Sequence, residues 1–238
     1  MKKIILVFCS FLFIFFSCTT PKKKSIKEDN PTVINKFVLN GTLHTNISDK
    51  VYLNKILENT LYPVDSSTII NNQFIFEGVV EYPERFALTF NNYATPVIFI
   101  LENTNFQIEL KPTQLQEPTL INSPLNYKLN AYKTHSKNIF KKIDYLFPQF
   151  QKARLENDAD ELAEIGKKMQ LIEKEFSDFS FQFIQNNQSS YVSGMILRDQ
   201  LKASTVDTLK IINAYHTLSL KVKNAPDATI VAESLKLH

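Results

Sequence analysis

The stretch NFQIELKPTQLQEPTLINSPLNYKLNAY, residues 105–132, holds the change of period that decides the fold. It opens by alternating: Phe106, Ile108 and Leu110 share one face, Gln107 and Glu109 the other. Successive side chains of a strand leave opposite faces, so this period marks a half-buried strand. Lys111-Pro112 ends the pattern, and residues 113–124 read as a connector. From Leu125 the apolar residues return every three or four positions, at Leu129 and Tyr132, which is helix spacing.

The same contrast extends both ways. Upstream, Phe37, Leu39 and Gly41 share a face, as do Val51 and Leu53, Phe74 and Phe76, Phe86, Leu88 and Phe90, and Val97, Phe99 and Leu101. Ile98 and Ile100 interleave the last set, which predicts a strand buried on both sides. Asn- and Pro-containing turn signals separate the runs, among them Asn71-Asn72, Tyr82-Pro83 and Asn103-Thr104-Asn105. Six or seven short strands so spaced predict an antiparallel β-sandwich-like domain over residues 35–112.

Downstream, residues 125–238 read as an all-helical domain, so the class is α+β. Ile139, Ile143, Leu146 and Phe150 continue the first helix, and Pro148 should kink or end it by removing a donor. Asp158-x-x-Glu161 is a capping box for the next. Its stripe of Leu162, Ile165, Met169, Ile172, Phe176, Phe179 and Phe183 steps by three and four. Antiparallel pairing with the preceding helix would bury that stripe; a homodimer seam is the alternative, and a monomer is favoured. Further helices are expected to begin at Ser204 and at Pro226.

The amino terminus bears on location. Lys2 and Lys3 precede an apolar run from Ile4 to Phe16, then Ser17 and Cys18. Thirteen residues fall short of the roughly 20 that span a bilayer. This resembles a lipoprotein signal peptide over 1–17, cleaved before Cys18, which would carry lipid. An ordinary secretory signal with a cysteine near its end and a non-secreted protein with a buried apolar start are the other readings. Residues 18–34 are polar and read as a disordered tether. Its Lys22-Lys23-Lys24 cluster is a solvated linker or an attraction to anionic headgroups. The expected location is the cell envelope, lipid-anchored and periplasm-facing.

Composition narrows the chemistry. Without Lys2 and Lys3 the chain has 25 basic residues against 24 acidic, which makes no electrostatic case for nucleic acid. The only cysteines are Cys9 and Cys18, so residues 19–238 offer no disulfide, redox pair or thiolate metal site. His44, Asp65, Ser66 and Ser67 hint at a hydrolase but lack a nucleophile elbow. His44, His135, His216 and His238 lie at no ligand spacing. The acidic run Asn157–Glu161 lacks the glycine and distal glutamate of a calcium loop. Phe176, Phe179, Phe181 and Phe183 read as core rather than as a ligand pocket. The expectation is therefore no catalytic, cofactor or metal residue, no cofactor, and one modified residue, Cys18.

Several segments resemble a domain of unknown function found in Bacteroidota-type lipoproteins. Val64–Gly78 is similar to its Ile-Asp-Ser-x-x-Val-x-(Asn/Asp)-Gly-x-Phe-x-Phe-x-Gly stretch. Phe37–Gly41 and Val51–Leu53 resemble its first strands, and Leu101–Ile108 its Leu-Glu-Pro-Gly-Asn turn. Ile121–Asn126 resembles its Gly-Ser-x-x-Asn entry into the helices, and Phe183–Ser193 its Asn-Pro-x-Ser-x-Val-Ser segment. Asn72, Asn103-Thr104 and Asn122 replace glycine or Pro-Gly in these motifs. In many such lipoproteins a thioredoxin-like domain follows; here the sequence ends at His238, so the resemblance brings no redox residue. A full fold with no thiol, metal motif or nucleophile pattern sets the expectation of an envelope lipoprotein that binds or scaffolds without catalysis, its partner an envelope protein such as a thioredoxin-like one. The alternative is the accessory half of a thiol–disulfide system whose thioredoxin-like domain lies on another chain.

Overall fold

The computed structural model describes residues 36–45, 47–58, 60–203 and 206–237. Cys18, the tether, Ser204 and His238 lie outside the described residues. The chain runs β1 (Phe37–Leu43), β2 (Lys50–Leu57), β3 (Thr60–Thr68), β4 (Gln73–Gly78), β5 (Glu84–Phe90), β6 (Tyr93–Leu101), β7 (Asn105–Leu110) and β8 (Thr119–Ile121). The helices follow as α1 (Pro124–Glu156), α2 (Ala159–Asn186), α3 (Tyr191–Gln200), α4 (Thr208–Thr217), α5 (Leu220–Lys223) and α6 (Pro226–Leu235).

The strands form two four-stranded sheets, ordered β4-β1-β7-β8 and β3-β2-β5-β6. Between them lies one core of Phe37, Leu39, Val51, Leu53, Phe74, Phe76, Phe86, Leu88, Phe99, Phe106, Ile108 and their neighbours. Every strand set read from the alternation contributes to it. One expectation fails in part: the first sheet is mixed, because β1 and β7 pair in parallel. Between them the chain detours through the second sheet, a crossover long enough to return it in the same direction. β8 also forms inside the expected connector, pairing with β7.

Gly41 shows why a strand here needs glycine. It sits opposite Phe74, and a Cβ on it would fall 2.0 Å from that ring. The turns tolerate asparagine for glycine because Asn72 and Asn122 adopt φ of 61° and 61°. Asparagine enters this left-handed region more readily than most residues.

The outer face of the second sheet carries the helical layer. Ile100 of β6 is fully buried in the helical core with Leu129, Tyr132, Ile184, Val192 and Ile196. Ile98, expected to be buried as well, is 41% exposed. The helices cover the Ile100 end of β6 and leave Ile98 at their rim.

α1 does not end at Pro148; it continues to Glu156. Pro148 and Asp144, whose carbonyl loses a partner, both face solvent, so water can satisfy that carbonyl. Packing of Leu146, Phe150 and Ala153 against Ile165 and Ile172 holds the helix on both sides. The pairing of α1 with α2 is the antiparallel one expected. Asn157 turns the chain at φ 52°, and the Asp158 carboxylate accepts from the Glu161 amide at 3.0 Å. α4 begins at Thr208 rather than Ser204, because Asp207 caps it by accepting from the Lys210 amide at 3.0 Å. α6 starts at Pro226 as read. No described helix is long and apolar enough to cross a membrane.

Candidate functional site at the sheet–helix joint

Two turns of the chain meet where α1 leaves the sheets. Ser123 precedes the helix, and its hydroxyl donates to Glu102 Oε1 at 2.5 Å. The same carboxylate oxygen accepts from the Leu125 amide at 3.1 Å, which caps an otherwise orphan helical N–H. Burial pushes the Glu102 carboxyl above its usual range, against the pull of these donors.

Asn126 is 1% exposed and fixes the helix to the sheet. Its Oδ1 accepts from the Ile100 amide at 2.8 Å, and its Nδ2 donates to the Ile100 carbonyl at 2.7 Å. β6 is an edge strand, so the side-chain amide occupies the two backbone positions a further strand would use. Nδ2 also donates to Ser123 Oγ at 2.7 Å.

Ion pairs reinforce the joint. Arg85 on β5 donates both guanidinium nitrogens to Asp199 on α3, at 2.8 and 2.5 Å. Burial opposes the Arg85 charge, but the hydrogen bond and charge of Asp199 outweigh it and hold the group above its usual range. Arg198, the adjacent residue, donates to Asp227 of α6 at 2.9 Å. Thus one dipeptide ties α3 to both the sheet and the last helix. Within the helices, Tyr132 bonds Ser180 Oγ at 2.8 Å, and Ser180 donates to the Phe176 carbonyl at 2.8 Å.

Beside the joint lies a groove of about 410 Å³, lined among others by Ile98, Glu117, Asn126, Asn130, Lys133 and Lys137. Lys137 is ion-paired with Glu117. Lys133, one helical turn earlier, forms no ion pair within 4 Å with a described residue. Desolvation, then the charges of Arg85 and Lys137, pull its ammonium below the usual lysine range. The groove wall thus holds a lysine with no carboxylate partner among the described residues beside the Lys137–Glu117 pair.

The residues singled out in the sequence go elsewhere. His44 follows β1 and approaches Glu109 at 3.8 Å. Asp65 accepts from the Ser66 amide at 2.7 Å, and Ser67 Oγ accepts from the Ile75 amide at 3.3 Å. Ser67 thus ties β3 to β4, whereas the Asp65–Ser66 bond stays within β3. His135 stacks on Phe179 with centroids 4.1 Å apart, and His216 lies near the end of α4. Among the described residues no three His, Cys, Asp or Glu side chains are grouped to hold a metal. Phe176, Phe179 and Phe183 pack around Tyr132 as core.

Glu102, Ser123 and Asn126 come from two of the family-like motifs and bond one another. Asn103, from the first, brackets Val80 by accepting from its amide at 2.9 Å and donating to its carbonyl at 2.7 Å. Residues 37–129 match the family model described as Domain of unknown function (DUF4369). The matched segment takes in all eight strands and ends one residue pair beyond the first turn of α1, just past Asn126. It thus contains the sheets and the Glu102–Ser123–Asn126 bonds of the joint but stops short of Lys133, Arg198 and Asp199. No curated protein and no solved structure matches the chain.

Proposed function

We propose that this chain is a lipid-anchored protein of the cell envelope, held through Cys18 and facing the periplasm, that acts by binding or scaffolding rather than by catalysis. The observation carrying the reading is where the motif residues direct their polar atoms. Glu102, Asn103, Ser123 and Asn126 all spend them on bonds that hold layers together. The groove beside them instead presents Lys133, unpaired among the described residues, and the amide side chains of Gln116 and Asn130, a surface suited to recognition. The location rests on Lys2, Lys3, the Ile4–Phe16 run and Cys18.

Metabolic labelling with palmitate, on wild type and Cys18→Ala, tests the anchor. Wild type should label and sediment with membranes, and the variant should not label; an unlabelled, freely soluble wild type would overturn the location. Crosslinking in intact cells, followed by purification in mild detergent, tests the binding role. A stoichiometric protein partner is expected, and recovery of the chain alone would overturn it. A thioredoxin-like partner would identify the accessory-redox alternative. Residues 19–238 hold no cysteine, so they supply no thiolate for exchange themselves.

A further inference from the structure

β6 has one free edge, and its use is set by parity. Ile100 turns its N–H and C=O to that edge, where Asn126 takes both. Two residues back, in unbroken register with β5, Ile98 turns its own N–H and C=O the same way. Two residues further back is Pro96, which has no N–H to offer. The open part of the edge is therefore a short window at Ile98, bounded by Asn126 and Pro96. That window gives onto the groove, and the Ile98 side chain is 41% exposed there.

The opposite wall is α1. Its Lys137 already holds a carboxylate, that of Glu117 from the loop before β8. Lys133 lies four residues earlier on the same helix, lines the same groove, and forms no ion pair with a described residue. Among the described residues the groove so has one cation paired and one unpaired, both lining the cavity that Ile98 also lines.

We propose that this groove takes up an extended, carboxylate-bearing segment of a partner protein, pairing its backbone with Ile98 and placing an acidic side chain on Lys133. This rests on the binding role above and names the chemistry of the partner. An added strand supplies main-chain bonds, and side-chain pockets supply the selection. The short window keeps the contact local, and the lysine selects an acidic side chain beside it.

The test uses the full chain in mild detergent and fluorescein-labelled octapeptides of alternating valine and threonine with one central position varied. Fluorescence anisotropy should show the glutamate peptide binding about fivefold more tightly than its glutamine counterpart, the scale of an exposed charge pair. Lys133→Gln should erase that preference, and Lys133→Glu should transfer it to a lysine peptide. Amide exchange at Ile98 should slow when the glutamate peptide is bound. Equal binding of the glutamate and glutamine peptides, or a preference that survives Lys133→Gln, would overturn the proposal. A glycine-rich peptide with the same single glutamate should bind less well; equal binding would overturn strand addition. If these results fail while crosslinking still yields an envelope partner, the groove is wrong and the binding role stands. If no partner is found, the binding role falls.

Discussion

The joint and the outer part of the α1–α2 hairpin are built from the same helices on opposite terms. At the joint, α1 is buried against β6 and every polar side chain named has a partner: Glu102, Ser123, Asn126 and Arg85. In the hairpin, Ile139, Leu146 and Ala153 meet Ile165 and Ile172 in a cluster drawn from two helices only. Around that cluster Tyr145, Phe147, Leu155 and Leu171 are more than half exposed, at 77, 54, 83 and 66%. Side-chain bonding to the backbone of another layer leaves one geometry for the joint. Two apolar stripes leave the hairpin more latitude, because an apolar contact has little directional preference.

Substitutions at the joint should separate the two regions most sharply. Asn126→Ala strips the Ile100 amide and carbonyl of partners in a buried place. The expected loss is about 2–4 kcal/mol, from two unsatisfied backbone groups, measured by urea unfolding. A loss below that of an exposed hairpin substitution would break the comparison. Next in size is Gly41→Val, which drives side-chain carbons into the Phe74 ring and should cost about 1–3 kcal/mol. It tests whether the sheet core is as inflexible as the joint built on it.

Glu102 gives a smaller, pH-dependent effect. Its carboxyl titrates above the usual range when folded, so the folded state binds the proton more tightly than the unfolded chain does. Stability from this group is therefore greatest below the unfolded value and falls as pH rises through the window up to the folded value, then levels off. Glu102→Gln keeps an oxygen to accept from Ser123 and Leu125. It should flatten that slope and change stability at neutral pH by less than about 1 kcal/mol. A slope that persists in the variant would show that another group carries it. The smallest effect belongs to the hairpin surface: Leu155→Ser, at a residue 83% exposed, should move stability by no more than about 0.5 kcal/mol.

The fold was legible wherever periodicity speaks to burial. Phe74, Phe76, Phe106 and Ile108 were read as core from alternation alone, and they are. Strand neighbours were less legible, because a period of two assigns faces and not partners; hence the parallel β1–β7 pair was missed. β3 escaped as a distinct strand because its residues are largely exposed on both faces. Pro148 reads as a helix end because the sequence does not show that the carbonyl it orphans, that of Asp144, faces water. At the site, Ser123 and Asn126 were quoted only as parts of a motif. What the motif does needs Ile100 and Glu102 brought beside it by the sheet. Nothing in the sequence marks Lys133, since a lone lysine on a helix usually reads as solvated, and its setting depends on Arg85, 48 positions away in the sequence.

The central claim is that the Asn126 amide holds the helices on the free edge of β6. Native-state hydrogen exchange of wild type and Asn126→Ala tests it directly. In wild type the Ile100 amide should be protected to the level of the sheet core, and above the amides of residues 139–172. In the variant, protection should fall together at Ile100 and in α3, where Val192, Ile196 and Leu197 share its core, while residues 139–172 keep their own lower level. An Ile100 amide that exchanges as fast as the hairpin in wild type, or that is indifferent to the loss of Asn126, would contradict the account.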